Sequence, residues 1–305
     1  MKILVTGAAG FIGSTLVDLL RHDHDVRAID NFSVGTVRQI GDVTVEEMDC
    51  AIPEHAEEMV RGCDVVVHLA GMTGIPQCEQ HPLDASRDIL VATKYVSEAA
   101  VRAGVKQFLF SSTFAVYGQA SGLVTEDTPR APIGMYGFLR TASEHLLLAA
   151  QKLDGLNVLI FRQTNIYGKG ITKKNTLLNV LADRVLNHQP ITIYGTGMQA
   201  RNFLHVMDTV QAYKLAIEKQ ATGIYNLGST ETLTVKTVAD IVNDAAERIL
   251  GYRVPIEQKP DRGAGNREIS ADNFVVDISR ICHDLGFSPQ RTVKGTVERL
   301  LSGEE

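Results

Sequence analysis

Residues 2–13 read Lys2-Ile3-Leu4-Val5-Thr6-Gly7-Ala8-Ala9-Gly10-Phe11-Ile12-Gly13. A short apolar run passes straight into three glycines spaced G-x-x-G-x-x-G, and the amphipathic stretch Ile12–Arg21 follows. That order predicts a strand, a tight turn and a helix. The backbone must turn sharply at Gly7 and let a ligand approach closely at Gly10. At Gly13 the helix must pack against the strand. Each step favours a residue without a side chain. The helix then begins with free N–H groups and a partial positive charge, which suits a phosphate. A glycine trio by itself also fits an ordinary strand-to-helix turn.

The next strand decides between these readings. It ends in Arg27-Ala28-Ile29-Asp30-Asn31, with an acid where a dinucleotide site needs one. A carboxylate at Asp30 can accept hydrogen bonds from both ribose hydroxyls and would repel a 2′-phosphate, so NAD is favoured over NADP. Asp49, after a further short strand, suits a hydrogen bond to adenine and equally suits a surface turn.

Further strands are predicted at Asp25–Ile29, Val65–Leu69, Gln107–Ser111 and Asn157–Phe161. Amphipathic stretches lie between them, around Glu54–Arg61, Ile89–Ala103 and Tyr136–Gln151. Continuous apolar strands alternating with helices indicate an α/β fold: a Rossmann-type, doubly wound parallel sheet covered on both faces. Past Gly168 the pattern loosens into short strands (Ile191–Tyr194, Ile224–Leu227) and helices (Asp208–Lys219, Val235–Leu250). The expected division is a dinucleotide-binding domain over 1–168. Residues 169–305 would form mainly a smaller α/β substrate-binding lobe, with some segments returning to the first domain.

The chain has 305 residues, 44% of them hydrophobic, enough for a large core. A net charge of −6 argues against nucleic acid as a partner. Cys50, Cys63, Cys78 and Cys282 have no paired metal spacing and read as reduced thiols of a cytoplasmic protein. His22 and His24 form no metal constellation, so no metal is expected. No apolar run approaches the ~20 residues that span a bilayer, and the N-terminal strand does not read as a signal peptide.

Several motifs, in this order and spacing, resemble one family. They are Thr6-Gly7-Ala8-Ala9-Gly10-Phe11-Ile12-Gly13-Ser14, Val67-His68-Leu69-Ala70-Gly71 and Ser111-Ser112-Thr113-Phe114-Ala115-Val116-Tyr117-Gly118. Asn165-Ile166-Tyr167-Gly168 and Arg201-Asn202-Phe203-Leu204-His205-Val206-Met207-Asp208 follow. The chain is similar over nearly its whole length to the extended short-chain dehydrogenase/reductases, and among them to the NAD-dependent sugar-nucleotide epimerases and dehydratases. The resemblance implies NAD contacts at Gly7, Gly10, Phe11, Ile12, Gly13, Asp30, Asn31, Asp49, Cys50, Leu69, Ala70 and Gly71, together with Tyr136 and Arg140.

In that family a tyrosine at the start of a helix is the general base and a lysine follows four residues later. Tyr136 takes the tyrosine position and Arg140 the lysine position. A free tyrosine has a pKa of about 10, so a base near neutrality needs a neighbouring cation. Residues i and i+4 share a helix face, so Arg140 can serve, although its planar, permanently charged group differs from an ammonium. Thr113 takes the family's Ser/Thr position and would relay the proton; Ser112 is the neighbouring candidate. The next two positions hold an Asp-Glu pair in the family's 4,6-dehydratases and are Phe114 and Ala115 here, which cannot transfer protons. A second departure is Ile89, where the family usually has a buried asparagine.

On the substrate side the resemblance assigns Asn165, Arg201 and Arg267 to a sugar nucleotide's diphosphate. Arg262 competes with Arg267, and Asn202 replaces the family's aspartate after Arg201. Phe274 falls at a sugar-pocket gate position, where a ring would discourage N-acetylated sugars. The implied activity is a 4-epimerase of UDP-hexoses. The alternatives are a nucleotide-sugar reductase or atypical dehydratase, and a catalytically weakened NAD-binding sensor or assembly protein, which Ile89 and Arg140 motivate. A homodimer through Ile89–Ala103 and Tyr136–Gln151 is expected from the family.

Overall fold

The computed structural model describes residues 1–172, 174–260 and 274–304. Strand and helix alternate from the start: β1 (Lys2–Thr6), α1 (Phe11–Leu20), β2 (Asp25–Asp30), the short β3 (Gln39–Ile40), β4 (Val43–Glu47), α2 (Pro53–Met59) and β5 (Val65–His68). Two short helices, α3 (Ile75–Gln80) and α4 (Pro82–Ser86), lead through a π-helical turn at Arg87–Val91 into α5 (Ala92–Ala103). Then come β6 (Gln107–Thr113), β7 (Gly122–Val124), α6 (Met135–Asp154), β8 (Val158–Gln163) and β9 (Asn165–Tyr167). The second half contributes α7 (Leu177–Leu186), β10 (Ile191–Tyr194), β11 (Ala200–His205), α8 (Val206–Glu218), β12 (Gly223–Leu227), β13 (Thr232–Thr234) and α9 (Val235–Leu250). The last described elements are β14 (Ile256–Lys259), β15 (Phe274–Val276), α10 (Ser279–Leu285) and α11 (Val293–Ser302).

The main sheet has eight strands in the order β12-β8-β6-β5-β1-β2-β4-β3. Every pair is parallel except β3 with β4. This is the doubly wound Rossmann arrangement expected. The apolar runs are explained by their faces. Ile3, Val5, Val67, Leu109 and Phe161 pack on Leu16 and Val17 of α1 and on Val210 and Tyr213 of α8. Their alternating neighbours Leu4, Val66, Phe108, Phe110 and Ile160 pack on Met59, Val96 and Leu147 from the opposite side. With both faces covered, no position along these strands can be polar without a partner, so the period of two disappears from the sequence. A separate core joins α7, β10, α9 and α11 through Leu181, Ile193, Val242 and Val297.

Two local outcomes differ from the periodicity. The stretch predicted as helix from Ile89 starts as a π-turn, with the Thr93 hydroxyl donating to the Ile89 carbonyl at 2.6 Å. The widened turn leaves carbonyls that side chains must satisfy, and such turns gather at functional sites. Three short pairings were also not foreseen: β7 with β15, β9 with β11, and β11 with β13. Runs this short carry no readable period, and their partners are distant in sequence. Arg262 and Arg267 lie outside the described residues.

Candidate active site

The glycine loop sits at the carboxyl edge of β1, between β5 and β2, where chain direction across the sheet switches. Gly7 has φ +70°, and a Cβ there would meet the Ala70 backbone nitrogen at 2.8 Å. Gly10 caps α1 and donates its N–H to the Gly7 carbonyl at 3.1 Å. A Cβ on Gly13 would stand 2.1 Å from that same carbonyl, so the helix can pack here only because the side chain is missing. No side chain caps α1 and no acid lies in its first turn, so its leading N–H groups are open to an anion. Phe11 and Ile12 open this helix, with the Phe11 ring buried. Leu69, Ala70 and Gly71 follow β5 and close over the turn, with the Ala70 N–H donating to Thr6 Oγ1 at 3.3 Å.

Asp30 ends β2 and is only 9% exposed. Its Oδ2 accepts the Ala9 N–H at 3.0 Å and its Oδ1 accepts the Phe32 N–H at 2.8 Å. Burial pushes its carboxyl up, and those backbone donors partly offset this. Each oxygen keeps a lone pair for a further donor. Asn31 is exposed, and its side-chain oxygen accepts the Ser33 N–H. Asp49 accepts the Ala51 N–H at 2.8 Å and pairs with Arg87. Cys50 is buried, and burial pushes its thiol up to about 12, so it serves as packing rather than as a nucleophile.

Tyr136 lies in the first turn of α6. That turn is pressed against the 3₁₀ turn Phe114–Tyr117, since a Cβ on Gly137 would approach the Ala115 carbonyl to 2.9 Å. Thr113 ends β6 just before the same turn, so the two hydroxyl-bearing residues come from adjoining elements. The Thr113 hydroxyl accepts the Ala115 N–H at 3.2 Å and keeps its own proton to donate. Arg140 is fully buried. Its Nη1 donates to the Ser111 carbonyl at 2.8 Å, and its guanidinium carbon stands 5.5 Å from the Tyr136 ring centre. Its Nε is buried without a partner among the described residues, an open donor at the site. Beside it, His68 is hydrogen-bonded by Thr6 at 2.8 Å and Thr93 at 3.3 Å. Burial, with the Arg140 charge, pushes its pKa down to about 3, so the imidazole is neutral.

Ile89 packs with Cys78, Ala85 and Leu139 in a small apolar cluster beneath the start of α6. Phe114 stacks on Phe274 with ring centres 5.3 Å apart and meets Tyr117 edge-on at 5.0 Å. Both rings are buried. Toward the C-terminal elements, Asn165 on β9 is exposed, and its Nδ2 donates to the Asn202 carbonyl at 3.2 Å. Arg201 stands on the adjoining strand β11. Asn202 is buried and uses both ends of its amide, donating to the Ser229 carbonyl and accepting the Ser229 N–H. A carboxylate could only accept, so the asparagine explains itself here.

The periodicity did not reveal the polar layer beneath this site. Glu144 is fully buried and forms a two-pronged pair with Arg162, at 3.1 and 2.9 Å. Ser112 donates to the same carboxylate at 2.6 Å, which turns it away from the catalytic role considered for it. Arg162 also donates to Tyr117 Oη, which in turn donates to Asn226 on β12. The available signal was spacing: Tyr136, Arg140 and Glu144 are four apart and share one helix face.

The model of the NAD dependent epimerase/dehydratase family matches residues 3–228. A UDP-glucose 4-epimerase of Corynebacterium glutamicum is 28% identical over 97% of this chain and 93% of its own length. A dTDP-glucose 4,6-dehydratase of Streptomyces griseus is 32% identical over 94% of this chain and 89% of its own. Among solved structures, a UDP-glucose 4-epimerase of Thermotoga maritima with UDP-glucose superposes with a TM-score of 0.89 at 26% identity. That match covers 100% of this chain and 98% of the other.

Proposed function

The chain belongs to the NAD-dependent epimerase/dehydratase family, and we propose that within it the protein is a UDP-hexose 4-epimerase that works through a transient 4-keto sugar. The observation that carries this reading is the environment just past Thr113. Phe114 is locked in an aromatic stack and Ala115 has only a methyl, so no side chain there can deliver or accept the protons that loss of water requires. Tyr136 at the start of α6, Thr113 at the end of β6 and the buried cation Arg140 are nevertheless all present. An internal epimerisation needs those and no more.

The residues at hand fit a bound NAD. The glycine cradle has no room for Cβ atoms, the start of α1 is open to an anion, and Arg140 Nε lacks a partner among the described residues. Gly7, Gly10, Phe11, Ile12 and Gly13 would hold the pyrophosphate, with Leu69, Ala70 and Gly71 alongside. Asp30 and Asn31 would face the adenosine ribose, with Asp49 and Cys50 at the adenine end. Bound NAD would supply reversible hydride exchange with the sugar carbon. Tyr136 takes the C4 hydroxyl proton through or beside Thr113 and gives it back, while Arg140 keeps a fixed positive charge next to the phenol ring. Asn165, Arg201 and Arg267 hold the substrate's diphosphate, which leaves the sugar free to turn.

We also read the protein as a cytoplasmic homodimer. The exposed Phe138 and Leu153 on α6 support a contact on that helix. The direct test of function is product analysis against a panel of nucleotide sugars. UDP-glucose and UDP-galactose should interconvert without change in mass. Loss of water or a net two-electron change would instead identify a dehydratase or a reductase.

A further inference from the structure

The glycine loop is gripped from a part of the chain that the cofactor motifs do not include. After β9 the chain returns across α1. A Cβ on Gly170 would stand 2.8 Å from Thr15 Oγ1 and 2.9 Å from the Phe11 ring, so the backbone lies directly on the helix. Thr172 then donates its hydroxyl to the Ala9 carbonyl at 2.9 Å. The opposite end of that peptide unit's residue is already held, since the Ala9 N–H donates to Asp30. Beyond Thr172, the Lys174 ammonium lies 5.8 Å from the centre of the Phe11 ring, above the start of α1. The Lys174 carbonyl accepts from Asn179 Nδ2 at 2.9 Å, and the same amide group donates to the Gly168 carbonyl at 3.1 Å. The position is therefore tied into α7 as well as onto the glycine loop.

Lys174 is exposed as a residue, yet its ammonium end is enclosed enough that burial lowers its pKa. Among the described residues no carboxylate pairs with it. A half-desolvated cation without an acid is an unfavourable arrangement that an anion would relieve. The leading N–H groups of α1, the helix that Phe11 opens, carry partial positive charge that suits the same kind of anion.

We propose that Lys174 clamps the pyrophosphate of the bound dinucleotide from the C-terminal side, on a strap that Thr172 fastens to the glycine loop. The inference rests on the NAD-binding reading above. It also suits an enzyme that must keep its dinucleotide between turnovers. A diphosphate could equally come from the sugar nucleotide, and the position over Phe11 favours the cofactor.

The test is release of NAD from the holoenzyme, read as nucleotide absorbance lost from the protein fraction on gel filtration over time, alongside UDP binding by calorimetry. A charge-assisted contact to phosphate is worth ~1.5–3 kcal/mol, so Lys174→Gln should release NAD roughly tenfold to a hundredfold faster. Lys174→Arg should remain near wild type, and UDP binding should be unchanged. Thr172→Val, which keeps the charge and unfastens the strap, should also speed release. Unchanged NAD release in Lys174→Gln would overturn the clamp. Weakened UDP binding with unchanged NAD release would also overturn it, and would give the lysine to the substrate's diphosphate. A wild-type protein that holds no NAD would overturn the functional reading itself, and the clamp with it.

Discussion

In the proposed reaction, Tyr136 and Arg140 are where binding a dinucleotide becomes using it. The phenol must move a proton, and the guanidinium beside it cannot lend or take one near neutral pH. Tyr136→Phe should lower kcat by about 10²–10⁴-fold while NAD stays bound, which steady-state rates and cofactor absorbance can read together. A Tyr136→Phe enzyme with nearly full activity would remove the residue from the reaction. Arg140 is also a structural bridge, because its Nη1 holds the Ser111 carbonyl one strand away. A lysine would keep the charge but not the planar fork. Arg140→Lys should therefore lower kcat with a small change in KM, and a large gain in activity would mark the natural protein as a weakened binder. The sequence assigned both residues only through its resemblance to the family, with an i, i+4 spacing that puts them on one helix face. It could not show that the guanidinium turns inward to a strand carbonyl, because that contact joins residues 29 positions apart.

At the scale of elements, α6, β6, β8 and β12 are pinned together by one buried polar layer rather than by apolar contact alone. Glu144 and Arg162 are its centre, with Ser112, Tyr117 and Asn226 attached. Removing one partner of such a pair leaves an uncompensated charge out of water, at a cost of about 3–5 kcal/mol. Glu144→Gln should lose stability on that scale in urea titrations, and a loss near zero would mean that the pair adds nothing beyond packing. The same substitution should loosen the start of α6 relative to Thr113. These elements were legible as strands and helices, because length and apolar runs mark them. Their polar ties were not, since the contacts of Glu144 with Ser112 and Arg162 join separate elements and exist only once the fold has formed.

Across the whole molecule, the glycine loop and Asp30 were readable because tight turns and ribose recognition need particular residues at particular places. The small pairings among β7, β9, β11, β13 and β15 were not, since each joins only three residues to partners far along the chain. Burial also writes a pH response into the fold. An unfolded histidine takes a proton near 6.5, whereas His68 resists until about 3. Between those values the unfolded chain binds more protons, so stability falls as pH drops through that window. The stability margin of the wild type over His68→Gln should shrink from pH 7.5 to pH 5, and a constant margin would contradict the buried neutral imidazole. The central claim is that one carbon of the sugar is oxidised and then reduced within the same molecule. The measurement that tests it most directly is conversion of UDP-glucose carrying deuterium at C4. The account predicts UDP-galactose with the deuterium still at C4 and no accumulation of reduced cofactor. Product that has lost the label, or no conversion by NAD-loaded protein, would contradict it.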